Sequence, residues 1–326
     1  MKKGVTVIIC TYNGRLKLGP TLLHLANQSI SSGFGYEIII VDNASSDQTS
    51  EFVITEWEKY KQKNIPLILI DEHTPGKLFA LQKGISNAKY EYFVLCDDDN
   101  WLNPDYLDIA FNIMESDPGI GAAGGQAIAI SEKDISFPSW FETYQNGYAV
   151  GTQAAETGDV TSRGHLWGAG LISRTALYKE TYKSFPSLLL TEQNRKILST
   201  EDTEYCLRMI LMGYRLYYSS SLVLKHFISP ERLTIEYKDS LYENFRQSHL
   251  ILEKYYLAIK LDRKNLTFIN RIRLAVVTPL RLLFAKNKDK QKTIMHYLFP
   301  DFAPPDPLTS QIKKFISQHG NEHLRV

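Results

Sequence analysis

The stretch YFVLCDDDNWLNPDYL, residues 92–107, joins a short apolar run to three consecutive aspartates and then to the start of a helix. Adjacent carboxylates repel: at about 4 Å two like charges cost roughly 1 kcal/mol in bulk water and several-fold more near a protein surface. A turn needs one Asp, not three. Residues 92–96 are nearly continuous in apolar side chains, as in a strand buried on both faces of a parallel sheet. Asn103, Pro104 and Asp105 then open a helix, with Asn103 as cap and Pro104 at the first helical position. Asp97, Asp98 and Asp99 are therefore expected to sit fixed at the carboxyl end of a buried strand.

The same pattern recurs upstream. VTVIIC (5–10), YEIIIV (36–41) and PLILID (66–71) read as further buried strands, and helices are expected over 16–28, 47–63, 76–88 and 104–116. Ser46 or Asp47 can cap the second of these. Repeated βα units imply an α/β fold with an open, mostly parallel, Rossmann-like sheet flanked by helices, whose ligands bind beyond the carboxyl ends of the strands. TYNG, VDNASSD and CDDDN each fall at such an end. From about residue 120 the pattern changes. GAAGGQAIAI is a Gly/Ala-rich strand, FPSWFETYQNGYAVG an aromatic loop, and LWGAGLISR (166–174) a second Gly-rich strand. A helix follows over about 201–212 and a strand over 222–227. Residues 235–300 read as two or three helices rich in Tyr, Leu, Lys and Arg, before a Pro-rich break and a last short helix.

With 44% hydrophobic and 22% charged residues the 326-residue chain is an ordinary folded protein, and its net charge of +1 argues against a general nucleic-acid binder. That balance hides an asymmetry. Residues 1–224 hold 19 Lys/Arg and 26 Asp/Glu, net −7, whereas 225–326 hold 18 and 10, net +8. A basic tail after an acidic body suits contact with an anionic membrane surface, or a solvated basic helix set. Cys10, Cys96 and Cys206 lie far apart in apolar or helical contexts, so neither a disulfide framework nor a zinc site is expected, and a cytoplasmic location fits. The apolar run near the start is too short for a signal peptide, and no window reaches the 18 apolar residues of a spanning helix.

Four features carry chemistry. Hard divalent cations such as Mg²⁺ or Mn²⁺ take oxygen ligands, so the Asp97–Asp99 turn suits a metal bound to a diphosphate, or else is an acidic loop leading into a helix. In STEDTEYCLRMILMGYRL (199–216), Ser199 or Thr200 can cap a helix whose first turn holds Glu201 and Asp202. There the helix dipole favours carboxylates, and a carboxylate so fixed can also act as a general base. Trp167, Gly168, Ala169 and Gly170 combine an indole that can stack on a sugar with glycines that allow close backbone approach; the alternative is a tightly packed strand. His226 is either a metal or phosphate ligand or a structural histidine.

Taken together, VTVIICTYNG, YEIIIVDNASSD, YFVLCDDDN, LWGAGLISR and STEDTEYCLRMILMGYRLYY resemble an inverting family 2 glycosyltransferase with the GT-A fold, over residues 4–230. The resemblance implies a nucleotide-sugar-binding half over 1–120, an acceptor half over 121–230 and a basic, mainly helical region over 231–326. It implies that Thr11, Tyr12, Asn13 and Asp42 hold the nucleoside. Asp97 and Asp98 would lie at the donor, Asp99 with Asp97 and His226 at a Mn²⁺ or Mg²⁺ ion, and Asp202 would be the base, with Glu201 shaping the acceptor site. Arg232 would reach a phosphate. Within the triplet, Asp98 is expected to matter least.

Two departures qualify the match. The family often has Ala-Arg-Asn-x-Gly before the aspartate strand, where this chain reads Ala80-Leu81-Gln82-Lys83-Gly84, so either Lys77 or Lys83 is expected to supply the missing charge, or the donor is held differently. The Gln-x-x-Arg-Trp element of processive synthases is absent, which favours adding one or a few sugars. The expected activity is thus transfer from a nucleotide sugar, by default a UDP-sugar, to a saccharide or lipid-linked saccharide in surface glycan synthesis. A sugar-phosphate nucleotidyltransferase or a non-catalytic carbohydrate-binding protein are the alternatives. Oxidoreductase and NTPase classes fail, because no G-x-G-x-x-G follows the first strand and TPGK is no P-loop. NRIRLAVVTPLRLLFAK (270–286) is apolar and basic, and suits either an interfacial membrane helix or a packed core helix.

Overall fold

The computed structural model of the protein describes residues 1–31, 33–190, 199–262, 293–296 and 306–319. The chain opens with β1 (Lys2–Thr11), α1 (Leu18–Ala26), β2 (Gly35–Asp42), α2 (Thr49–Trp57), β3 (Leu67–Asp71), α3 (Lys77–Asn87) and β4 (Tyr90–Leu95). A short β5 (Asn100–Leu102) precedes α4 (Tyr106–Ser116). β1 pairs in parallel with β2 and β4, and β2 with β3. Because successive side chains on a strand face opposite ways, β1 feeds two layers. Val5, Val7 and Ile9 pack with Leu18, Leu22, Leu107 and Phe111 of α1 and α4, while Ile8 meets Leu81 and Ile85 of α3 on the other face. β3 departs from the expectation of a doubly buried strand: it lies at the sheet edge, and its Ile68 is 38% exposed.

The second half adds β6 (Ile120–Ile130), α5 (Phe141–Tyr144), β7 (Gly158–Asp159), β8 (Ile172–Arg174), α6 (Thr175–Lys183), α7 (Glu201–Leu211), β9 (Arg215–Phe227) and α8 (Ile235–Asp262). The sheet order is β3-β2-β1-β4-β8-β6-β9-β5, with β7 paired to β9. β8 runs antiparallel to both β4 and β6, β5 and β7 run antiparallel to β9, and β6 and β9 are parallel. The sheet is therefore parallel where the first strands meet and mixed beyond β4.

Two boundaries differ from the sequence expectation. The Gly-rich strand expected over 166–174 is strand only from Ile172. Before it the chain turns, Gly170 taking φ +76°, a conformation open to glycine, where an added Cβ would lie 2.2 Å from the Tyr106 hydroxyl. α4 begins at Tyr106, two residues after Pro104, because the Tyr106 N–H bonds back to the Asn103 carbonyl in a turn (3.0 Å). Past the sheet, α8 packs Ile251, Leu252, Tyr255 and Ala258 against Leu207 of α7 and Ile312 of the C-terminal helix Pro307–His319. Among the described residues no helix is long and apolar enough to cross a membrane. The basic apolar stretch 270–286 lies outside the described residues.

Candidate active site

The carboxyl ends of β1, β2 and β4 open onto a cavity of about 580 Å³ lined by Thr11, Tyr12, Lys17, Asn43, Lys77, the three aspartates, His226 and Arg232. The aspartates point to three different partners. Asp97 Oδ1 accepts from Lys77 Nζ at 2.6 Å. Asp98 Oδ2 accepts from the Thr11 hydroxyl at 2.7 Å, and its carbonyl from Thr21 at 2.9 Å. Gly14 is needed for this contact, since a Cβ there would lie 2.0 Å from Thr11 Oγ1 and 2.9 Å from Asp98 Oδ2. Asp98 thus ties the TYNG turn to the acidic turn, a structural task the sequence expectation did not foresee. Burial, and Asp99 beside it, push the Asp98 carboxyl up to about 6.

Asp99 is buried, with Oδ2 on Arg232 (2.9 Å) and Oδ1 near His226 Nε2 (3.3 Å). Burial alone would raise its carboxyl, but His226 and Arg232 outweigh it and hold the group at about 2. β5 and β9 place the pair: Asn100 stands opposite His226 in their register, and the Phe227 N–H bonds to the Asp99 carbonyl at 2.9 Å. Among the described residues no cluster of three or more His, Cys, Asp and Glu side chains is set to hold a metal. Asp97, Asp99 and His226 still face one cavity, His226 Nδ1 is buried without a partner, and the two carboxylates suit Mn²⁺ or Mg²⁺, with the imidazole a ligand for Mn²⁺ rather than for the oxygen-preferring Mg²⁺. Lys77 and Arg232 now neutralise those carboxylates.

A second cavity of about 1060 Å³ adjoins the first and shares Lys77 and Arg232 with it. Its floor is the start of α7, with Glu201 and Asp202. Lys77 Nζ, bonded to Asp97, also stands 3.7 Å from Glu201 Oε1, so one ammonium links the acidic groups of both cavities. Asp202 accepts from two backbone N–H groups, Gly168 at 2.7 Å and Thr203 at 2.6 Å. Burial raises the carboxyls of both Glu201 and Asp202 above the ordinary range, against the opposing pull of Lys77. Lys77 itself titrates well above the usual lysine, because Asp97 and Glu201 overcome its burial. The expected hydroxyl caps are not made. Thr200 takes φ +88°, and the hydroxyls of Ser199 and Thr200 are buried without partners.

Several expected site residues stand elsewhere. Lys83 is exposed on α3 and lines neither cavity, whereas Lys77 lines both. Asp42 does not line the first cavity, and its carboxylate is taken by the Ser45 N–H (3.0 Å) and the Ser50 hydroxyl (2.6 Å). Asn13 likewise accepts from the Ser46 N–H at 2.9 Å and holds the β1 and β2 loops together. Of the four residues 167–170, Trp167 lines the large cavity, but Arg163 lies over its ring (5.6 Å) and the side chain is largely buried. Gly168 serves through its N–H on Asp202, whereas Ala169 and Gly170 pack into the core rather than at an acceptor. Sequence reasoning missed Lys17, Asn43 and His165. The asparagine orders the loop before α3, its amide donating to the Glu72 and Thr74 carbonyls and accepting from the Gly76 N–H.

Comparison with known proteins adds an independent line. A model of the family described as Glycosyl transferase family 2 matches residues 6–171, just over half of the chain. Poly-beta-1,6-N-acetyl-D-glucosamine synthase of Staphylococcus aureus (strain COL) is 28% identical over 123 residues, which is 38% of this chain and 28% of that protein's length. Dolichyl N-acetyl-alpha-D-glucosaminyl phosphate 3-beta-D-2,3-diacetamido-2,3-dideoxy-beta-D-glucuronosyltransferase of Methanococcus voltae is 22% identical over 231 residues, 68% of this chain and 66% of its own. Among solved structures, S. aureus TarS 1–349 in complex with UDP-GlcNAc superposes with a TM-score of 0.54 at 19% identity, covering 98% of this chain and 90% of that one. A mannosyltransferase from Pyrobaculum calidifontis in complex with GDP-Man and Mn²⁺ gives 0.54 at 18% identity, over 98% and 81%. At such identities the structural likeness speaks for the fold.

Proposed function

The chain belongs to glycosyl transferase family 2, and on that premise we propose that it moves a sugar from a nucleoside diphosphate donor to a saccharide hydroxyl with inversion, one or a few sugars at a time. The observation that carries this is the pair of adjoining cavities joined at Lys77, one rimmed by Asp97–Asp99 and the other floored by Glu201 and Asp202.

In this mechanism Asp202 accepts the proton of the acceptor hydroxyl. The oxygen attacks the anomeric carbon from the side opposite the diphosphate, whose C–O bond breaks and leaves with its electron pair, inverting the carbon in one displacement. The Gly168 and Thr203 N–H groups hold the carboxylate in place, and burial brings its basicity closer to what proton removal near neutral pH requires. Glu201, paired to Lys77, shapes the acceptor side. Thr11, Tyr12 and Asn43 line the donor cavity, where Lys77 and Arg232 face the diphosphate. Asp97, Asp99 and His226 would hold a Mn²⁺ or Mg²⁺ ion, which neutralises charge on the leaving diphosphate.

A UDP-sugar is the favoured donor, a choice supported by the UDP-GlcNAc in the TarS complex and by the synthase of N-acetylglucosamine polymer among the relatives. The dolichyl-phosphate acceptor in the name of the Methanococcus relative supports a lipid-linked acceptor, and with it peripheral contact at the inner membrane face. Thermal melting with a panel of UDP-, GDP- and ADP-sugars, each with Mn²⁺ or with chelator, tests donor and metal together. One donor should raise Tm with Mn²⁺ and lose that effect with chelator. Equal stabilisation in chelator would remove the metal, and no response to any nucleotide would remove the donor.

A further inference from the structure

One face of α8 looks into the acceptor cavity with Ser240, Leu241, Asn244, Phe245 and Gln247, positions whose spacing puts them on the same side of the helix. This helix belongs to the region expected from sequence to be a separate basic extension, yet it is tied to the catalytic segment. The Ser248 hydroxyl donates to the Ser199 carbonyl (2.7 Å), two residues before Glu201, and the Tyr255 hydroxyl to Glu204 of α7 (2.8 Å). On the opposite rim the Tyr242 hydroxyl donates to the Tyr144 carbonyl (3.2 Å), and a Cβ on Gly147 would lie 2.8 Å from it.

The distribution of charge in the cavity says what it takes. Among the described lining residues, charged side chains stand only at the catalytic end: Lys77, Glu201, Asp202 and Arg232. Both cations are engaged, Lys77 by Asp97 and Glu201, Arg232 by Asp99. The outer walls offer amides from Asn146 and Asn244, a serine hydroxyl, and the Phe245 ring. Gln247 adds a further amide, one of whose two N–H donors is taken by Glu243 at 3.0 Å. An amide both donates and accepts, which matches sugar hydroxyl and acetamido groups, whereas a carboxylate or phosphate would find no cation among the described residues of those outer walls to pair with.

We propose that α8 is the acceptor-selecting element, with Asn244 facing Asn146 across an uncharged saccharide unit whose hydroxyl meets Asp202 and whose apolar face lies against Phe245. This rests on the transferase reading above. The test is steady-state transfer by the full chain to 4-nitrophenyl glycosides, using the donor that calorimetry shows it to bind. The uncharged set is the β-glucoside, β-galactoside and N-acetyl-β-glucosaminide; the anionic set is the β-glucuronide and the 6-phosphoglucoside. The uncharged glycosides should be the ones that accept, and N146A/N244A should raise the acceptor KM about tenfold or more with donor KM unchanged, as expected for losing two neutral hydrogen-bonding groups. Both side chains are exposed, so the variant should melt with the wild type. Transfer confined to the anionic set, no transfer to any uncharged glycoside, or an unchanged acceptor KM in the variant overturns the proposal. A full chain that binds no nucleotide sugar by calorimetry removes the transferase premise instead, and the proposal with it.

Discussion

At the scale of single residues, the acidic triplet is three separate instruments. Asp97 faces the cavity through Lys77, Asp98 ties two loops together through Thr11, and Asp99 is locked by Arg232 and His226. The sequence placed all three at a strand end, because a buried apolar run followed by acids has few other meanings in a βα unit. It did not separate their tasks, since Thr11 and Arg232 are 87 and 133 residues away from the aspartates they bond. The sequence could not part Lys77 from Lys83 for a similar reason: both lie on α3, but the first turn points at the cavity and Lys83 at solvent. Asp202 yields a pH prediction. A base works only when ionised, and burial raises its carboxyl, so the acidic limb of kcat/KM should fall at a pH above that of an ordinary aspartate. Lys77 opposes that rise, so K77M should move the limb to still higher pH. A limb at the ordinary aspartate position in wild type, measured over pH 4–8, would contradict the assignment.

At the scale of elements, α7 carries the base and is held by a buried network. Arg208 and Glu204 pair one turn apart (3.1 Å), Glu204 accepts from the Tyr255 hydroxyl and the Leu188 N–H, and Arg208 donates to the Phe185 and Pro186 carbonyls. Both ions and the Tyr255 hydroxyl therefore have partners. Removing one ion leaves the other buried alone, so R208A should cost about 3–5 kcal/mol in denaturant unfolding, and E204Q/R208M considerably less. Equal losses would show that packing rather than charge sets the cost. The start of α7 is strained, because Thr200 is a β-branched residue held at φ +88°. T200G should therefore stabilise the fold by about 1 kcal/mol while lowering turnover, as the floor beneath Asp202 loosens. Lower stability together with unchanged turnover would show the conformation to be unstrained and idle. Sequence periodicity gave α7 to within a residue, yet it assigned the start to a hydroxyl cap. Capping depends on the direction from which the chain enters, and no periodic pattern records that. For the same reason 167–170 looked like strand: the turn there is set by Tyr106, far off in the chain.

At the scale of the whole molecule, the sheet brings the ends of β1, β2 and β4 to one cavity, and the mixed strands beyond them add His226 and the turn that holds Asp202. The passage from parallel to mixed sheet was legible, because the change from near-continuous apolar runs to Gly-rich and aromatic segments near residue 120 marks where the parallel sheet gives way. The place of α8 was not. Its charges nearly balance, and only the tertiary fold turns its neutral face toward the cavity. The chain's match spans 28% of the length of the curated synthase, and the site itself therefore bears the functional argument. D202N isolates that argument, because it keeps the side chain's size and its contact with Gly168 while removing the base. Calorimetry with the nucleotide sugar, run beside a transfer assay on the same preparation, should give wild-type donor affinity and turnover reduced on the order of 10²–10⁴-fold. Normal turnover in D202N would contradict Asp202 as the base and separate the two cavities in function.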